Sequence, residues 1–350
     1  MSKRLDPDEM PEWLATLWPA LGRDPSIVAG VNEDDCAVLE WDQQLLVVTT
    51  DYLNAHPIAS ELGIGTAADF GRLVVASNLS DLCGSGAEPR ALLIAVTMER
   101  DATEAEFQSL MRGVREEAEK WAVPVVGGDT KLGSSRAVLG VGIGSACSTG
   151  NLFLKSRAHP GDLLWCSGPL GSCNAAAVGF QRPDVTDEWR QWARAAILTP
   201  SLPLEKSRLL SAECLGAGGI DISDGLGADL EKMCRSSSVG AVVDAHSIPL
   251  DPHVNELARK MGIEPWKFAF GTGGDFQFLV STARKQAERV TRLGFNLIGE
   301  LTAELKLSLR VGSHMMALPT SGHRDARDMS FPEEILSLLG QVTKPEGAGQ

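Results

Sequence analysis

Five short acidic motifs carry the residues of this chain that could do chemistry. They are Glu33-Asp34-Asp35, Thr49-Thr50-Asp51, Asn78-Leu79-Ser80-Asp81, Gly127-Gly128-Asp129-Thr130 and Asp221-Ile222-Ser223-Asp224. Asp51, Asp129 and Asp221 follow strand-like or glycine-softened runs, where an α/β fold places its ligand-facing residues. Carboxylates gathered in one cleft repel one another and raise each other's pKa unless a cation intervenes. Mg²⁺ binds through one or two carboxylates together with water and substrate phosphate. The set therefore fits a site in which divalent metal bridges acids to a polyphosphate. Taken singly, an Asp after a strand is ordinarily a helix cap or a turn residue. Ser223-Asp224-Gly225 reads as a turn, and Gly127-Gly128 as a bend. The site rests on the set, not on any member.

Composition narrows what such a site could serve. The chain has 350 residues, 32 Lys and Arg against 46 Asp and Glu, and a net charge of −14. So acidic a surface does not attract nucleic-acid backbones or anionic lipid. An anionic ligand then needs local neutralisation, for which divalent metal is the obvious candidate. A hydrophobic fraction of 43% supports a real core, and the length predicts two domains. Seven cysteines, an odd number with no CxxC spacing, read as reduced and largely buried thiols of a cytoplasmic protein. The first eleven residues carry no apolar stretch of signal-peptide type, and no run approaches a membrane span. Neither GxxxxGK[ST] nor a GxGxxG after the first strand occurs, so a nucleotide would bind without the common phosphate loops. Gly140-x-Gly142-x-Gly144 lies in a strand-like run and reads as close packing.

The elements that must position the acids alternate. Strands are expected over 45–50, 91–96, 123–126 and 137–143, the first ending at Asp51 and the third at Gly127-Gly128-Asp129. Residues 11–21 read as a short helix. A helix over 67–82 carries Phe70, Leu73, Val74, Ser77 and Asn78. A second, over 103–121, carries Phe107, Leu110, Met111, Val114, Ala118 and Trp121, with Thr103 and Glu106 as a capping box. After a connector at 151–161 the pattern restarts. It has a strand at 163–166, a helix from Ser172, a helix at 209–215, a helix after Gly225, and strands at 241–243 and 278–281. The expected class is mixed α/β (α+β) in two domains, 1–150 and 151–330, followed by a C-terminal segment, 331–350, partly frayed.

The order GxxDDCAV, VTTD, NLSDL-x-x-x-GAEPRA, VVGGDT, PGD and DISDGL resembles the thiamine-monophosphate kinase family, of the aminoimidazole ribonucleotide synthetase-like superfamily. The motifs run from about residue 30 to 280. The resemblance implies a two-domain homodimer formed through N-terminal domains, with ATP in a cleft and several Mg²⁺. It implies phosphoryl transfer to thiamine monophosphate, giving thiamine diphosphate. The family's metal ligands fall on Asp35, Thr50, Asp51, Asp81, Asp129, Asp221 and Asp224, with Asp81, Asp129 and Asp221 as the catalytic acids. Its nucleotide contacts fall on Gly128 and Ser223, a further nucleotide-contacting Arg aligns with Lys155, with Arg157 close by, and the candidate acceptor-side residues are His56, Asp275 and Phe276. The departures lie mostly on the acceptor side. The family histidine seven residues after the VTTD acid is Ile58 here, with His56 two residues early. GGEDYEL becomes Gly273-Gly274-Asp275-Phe276-Gln277-Phe278-Leu279, and the closing motif becomes Gly322-His323-Arg324-Asp325-Ala326. Two alternatives stand beside the kinase: the same fold acting on another small phosphorylated or oxygen acceptor, and a non-catalytic nucleotide-binding protein.

Overall fold

The computed structural model describes residues 24–31, 33–53, 58–322 and 331–341. The helix expected over 11–21, and both His56 and His323, lie outside the described residues.

Strands β1 (Ile27–Ala29), β2 (Ala37–Trp41), β3 (Gln44–Leu53), β4 (Glu88–Glu99), β5 (Val125–Gly133) and β6 (Ala137–Ala146) form one sheet in the order β1-β2-β3-β6-β4-β5. Between β3 and β4 run a short helix, α1 (Ile58–Glu61), and a long one, α2 (Ala67–Ser85). Only β4 and β5 are parallel, and a parallel pair needs a crossover. Helix α3 (Glu104–Lys120) supplies it, started by the expected Thr103–Glu106 capping box. β3 and β5 do not stop at their acids. Asp51 stays in the ladder opposite Gly140, and Asp129 opposite Ala95, because pairing partners are available there.

The second sheet has the order β13-β12-β9-β11-β7-β10-β8. Its strands are β7 (Leu163–Cys166), β8 (Gly219–Ile222), β9 (Gly240–Asp244), β10 (Gln277–Thr282), β11 (Asn296–Thr302), β12 (Leu307–Val311) and β13 (His314–Ala317). Seven helices accompany them: α4 (Ser172–Gly179), α5 (Asp187–Leu198), α6 (Leu204–Ala212), α7 (Leu226–Ser237), α8 (Pro252–Met261), α9 (Ala287–Arg292) and α10 (Phe331–Gln341). Helix α6 begins directly after Pro203 rather than at 209 and is over before Cys214, whose φ of 50° is left-handed. Of the C-terminal segment, 331–341 is helical as α10, which buries Ile335 and Leu339, and the residues after 341 lie outside the described ones. Packing also crosses residue 150. Ala59, Leu62 and Ile64 join the core around α4, α5 and α8.

Helix α2 is the wedge between the two sheets. It is buried nearly all round, as a helix apolar on every face must be. One side lies on β3 and β6, where a Cβ on Gly140 would sit 2.0 Å from Asn78 Nδ2. The other side meets β8, where a Cβ on Gly84 would sit 2.5 Å from the Asp221 backbone nitrogen. Glycine at these two positions lets sheet, helix and sheet close to near contact, so acids from all three share one joint.

Candidate active site

Each acid of the joint is held by a hydroxyl or an amide. Thr49 alternates onto the buried face of β3, and its hydroxyl donates to Asp81 Oδ2 on α2. Ser80, the preceding residue of α2, donates to Asp221 Oδ2 at 2.7 Å. Asp51 shares the face of Thr49, two residues on, and accepts the Tyr52 N–H at 2.7 Å. Burial pushes the Asp81 carboxyl well above the usual carboxylate range, and Asp221, Asp51 and Asp35 push it further. Burial raises Asp221 in the same way, with Asp35 the strongest neighbouring charge. Asp35, Asp51, Asp81 and Asp221 are thus one electrostatic group.

One acid of this group, and others beside it, are already paired with lysine. Asp35 Oδ1 meets Lys155 Nζ at 2.8 Å, while the Lys155 backbone N–H donates to Asp34 Oδ2 at 2.7 Å. Burial and the Asp35 charge raise Asp34 to about 6. Asp224 Oδ2 accepts from Lys232, which also reaches Asp229 Oδ1 at 2.8 Å. Arg157 donates to the Thr149 carbonyl instead of facing an acid. Ser223 turns with Asp224, and its carbonyl accepts the Gly274 N–H at 3.0 Å.

Two expected ligands lie elsewhere. Thr50 alternates onto the open face of β3, opposite to Thr49 and Asp51, and Asp129 shares that face through its register with Ala95. Asp129 is 58% exposed and paired with Lys131 at 2.9 Å. The paired row runs from Asp51 through Gly140 and Ile94 to Gly128, next to Asp129. Three strand spacings separate its ends, about 14 Å. Within one chain, then, Thr50 and Asp129 are not brought to Asp81. The parity that separates them follows from long-range strand register, which the local sequence does not show.

The acceptor-side residues also have structural partners. Asp275 is buried and accepts the N–H groups of Gly171 and Cys173 at 2.6 and 3.0 Å, capping the start of α4. Burial nevertheless raises it to about 6. Each of its oxygens thus accepts a backbone N–H, a capping role that the sequence did not suggest. Phe276 is left-handed, with φ 50°, and packs from the second half onto the core of the first. A bulky residue there is strained, a condition that clusters at functional sites. Thr49, Ser80, Asp34, Asp229 and Lys232 were missed as site residues. Ser80 lay inside a quoted motif, and Asp229 with Lys232 is an i, i+3 pair at the start of a helix.

Among the described residues, no three acidic side chains converge on one point as a preformed metal centre. The donor chemistry still fits Mg²⁺ at Asp35, Asp51, Asp81 and Asp221. These are hard, mutually repelling oxygens, desolvated at Asp81 and Asp221, and Mg²⁺ takes one or two carboxylates while phosphate and water complete its shell.

Known proteins resemble this chain in sequence and in fold. Residues 33–146 match the family described as AIR synthase related protein, N-terminal domain. The thiamine-monophosphate kinase of Methanopyrus kandleri is 30% identical over 299 residues, covering 84% of this chain and 89% of that protein. That of Corynebacterium glutamicum is 31% identical over 283 residues, covering 78% and 82%. The crystal structure of the Stenotrophomonas maltophilia thiamine-monophosphate kinase superposes with a TM-score of 0.68 at 27% identity, over 84% of this chain and 93% of that one. AaThiL complexed with AMPPCP and TMP, at 20% identity, shares the fold with a TM-score of 0.78 over 93% and 100%. With identity of this order running through both halves and both sheets, the chain belongs to the thiamine-monophosphate kinase family.

Proposed function

We propose that this chain transfers the γ-phosphoryl group of ATP to the phosphate of thiamine monophosphate, giving thiamine diphosphate. The family relationship supports the reaction. The observation that carries its location is the joint of Asp51, Asp81 and Asp221 on three separate elements, none of them in an ion pair among the described residues. Gathering such acids beside one another disfavours their charged forms, and a cationic ligand relieves that cost while keeping them ionised. Asp35, Asp51, Asp81 and Asp221 would hold Mg²⁺, which when bound neutralises the triphosphate and the charge on the transferred group. The rest of the work is positioning. Thr49 fixes Asp81, Ser80 fixes Asp221, and Lys155 holds Asp35 while leaving its second oxygen for a ligand. The acids orient and do not attack, because the acceptor phosphate is itself the nucleophile. Ser223 remains the proposed nucleotide contact from the turn after β8, with Lys155 beside Asp35, while Gly128, on β5 next to Asp129, would reach the nucleotide with Asp129.

We further propose a homodimer through the open face of the first sheet, where Tyr52 is exposed beside the Asp129 row. Thr50 and Asp129 enter the site only from that face. The domain boundary is placed near residue 150, and the free thiols support a cytoplasmic location. One observation favours a second reading, the same transfer to a different small phosphorylated acceptor. Where the family carries acids, Gly274 packs against Cys173, and the buried Gln277 amide is consumed by Ser167 and Ser201. An ADP-release screen with Mg²⁺ across thiamine monophosphate and other small phosphates separates the two. Turnover confined to another phosphate sets the first reading aside.

A further inference from the structure

Asp224 differs from Asp51, Asp81 and Asp221 in already having a cation. Helix α7 starts directly after Gly225, so its first turn faces back onto the Ser223-Asp224 turn. Asp229 and Lys232 sit one turn apart on it, on one side of the helix. Lys232 Nζ donates to Asp229 Oδ1 at 2.8 Å and to Asp224 Oδ2. Asp229 Oδ2 accepts the backbone N–H of Asp224 at 2.9 Å, which closes the ring. The Asp229 side chain is 1% exposed, so its charge has no water to stabilise it and depends on the ammonium. The ammonium lies between two carboxylates, where a divalent cation shared by them would otherwise lie. Lys155 stands differently toward Asp35: its ammonium meets one carboxylate, at 2.8 Å, and does not bridge two.

We infer that Lys232 is the resident cation of Asp224 and Asp229, and that Asp224 is withheld from divalent metal in this chain. The inference rests on the metal reading of the joint, which leaves Asp35, Asp51, Asp81 and Asp221 as the ligands. Lys232 is then a positioning residue. It fixes the turn whose Ser223 carbonyl is held from the other side by Gly274. The donor geometry is that of a closed salt bridge: each carboxylate gives one oxygen to the ammonium, and the second oxygen of Asp229 is used by an amide.

The test titrates Mn²⁺ alone into the full-length chain and reads free Mn²⁺ by electron paramagnetic resonance. Asp224→Asn is expected to bind as many ions as wild type, with affinity within twofold. Lys232→Met is expected to gain one site, which Lys232→Met combined with Asp224→Asn loses again, while Lys232→Arg keeps the wild-type count. Loss of a site, or a tenfold weaker one, in Asp224→Asn alone overturns the inference. So does an unchanged count in a folded Lys232→Met. If Lys232→Met does not fold, the comparison of Asp224→Asn with wild type decides. Asp81→Asn, run in parallel, reports on the metal reading separately. An unchanged count there removes that reading, whatever Lys232 does.

Discussion

Ser80 Oγ donates to Asp221 Oδ2 at 2.7 Å, and this one bond ties the helix of the first sheet to an edge strand of the second. Both side chains are buried, and the neighbouring Asp81 is tied the other way, to Thr49 of β3. Two consecutive residues of α2 thus hold acids from both halves at one joint. Ser80→Ala leaves a buried carboxylate oxygen without its donor, which costs about 1–3 kcal/mol. Urea unfolding should show that loss, and Ser80→Thr should recover part of it. A change below about 0.3 kcal/mol would mean the bond is not holding the joint.

Asp81→Asn should lower phosphoryl transfer at least tenfold, about 1.4 kcal/mol of barrier or more, while stability without metal is unchanged or higher. The sign follows from burial. Asp81 is held well above its ordinary pKa, so neutralising it relieves the metal-free protein. Thermal melting in EDTA beside single-turnover kinetics in Mg²⁺ separates these effects. A fall in both would make Asp81 a packing residue.

Asp275 gives a pH dependence with a definite sign. Its carboxyl is raised by burial from 3.8 to about 6, only partly countered by the amides it caps. The folded state therefore binds the proton more tightly than the unfolded one. The contribution is fully present below about pH 4 and is lost as pH rises through about 6. Relative to Asp275→Asn, wild type should lose on the order of 3 kcal/mol between those limits. The cap oxygen lost in the variant adds an offset that does not vary with pH. Denaturant titrations at pH 4.5 and 7.5 check the slope, and a stability gap that widens in favour of wild type would contradict it.

Restoring family residues should not restore a family pocket. Gly274 has φ 87°, and a Cβ there would lie 2.7 Å from Cys173 Sγ, so Gly274→Glu forces a left-handed backbone and a clash. The expected cost is about 1–3 kcal/mol. Gln277 donates from Nε2 to the Ser201 carbonyl at 2.9 Å, which an ionised Glu cannot do. Gln277→Glu should cost a similar amount. Neither should lower KM for thiamine monophosphate. A drop of tenfold or more in either would show that the pocket is still organised as in the relatives.

Much of this was legible before the structure. The capping box at Thr103 and Glu106, the strand at 163–166 and the helix from Ser172 stand where local patterning put them. Local signals suffice there because the deciding partners are a few residues away. The close-packed glycines of β6 were equally plain, and Gly140 does meet Asn78. What stayed hidden depends on distant pairing. Whether Thr49 or Thr50 faces Asp81 is set by the register of β3 against β6. Asp275 became a cap because α4, about a hundred residues earlier, needed an acceptor. Lys232 escaped because a charged pair on a helix is ordinarily a solvated one, whereas here its partner Asp229 is buried under the turn that Lys232 closes.

The central claim is phosphoryl transfer to thiamine monophosphate at the Ser80-Asp81 and Asp221 joint. The most direct measurement is chromatographic quantification of thiamine diphosphate from the full-length chain with ATP and thiamine monophosphate, in Mg²⁺ and in EDTA. The expected result is one thiamine diphosphate per ADP in Mg²⁺, none in EDTA, and at least a tenfold loss in Asp81→Asn. Folded protein that binds ATP but forms no thiamine diphosphate, or forms it equally well in EDTA, would contradict the account.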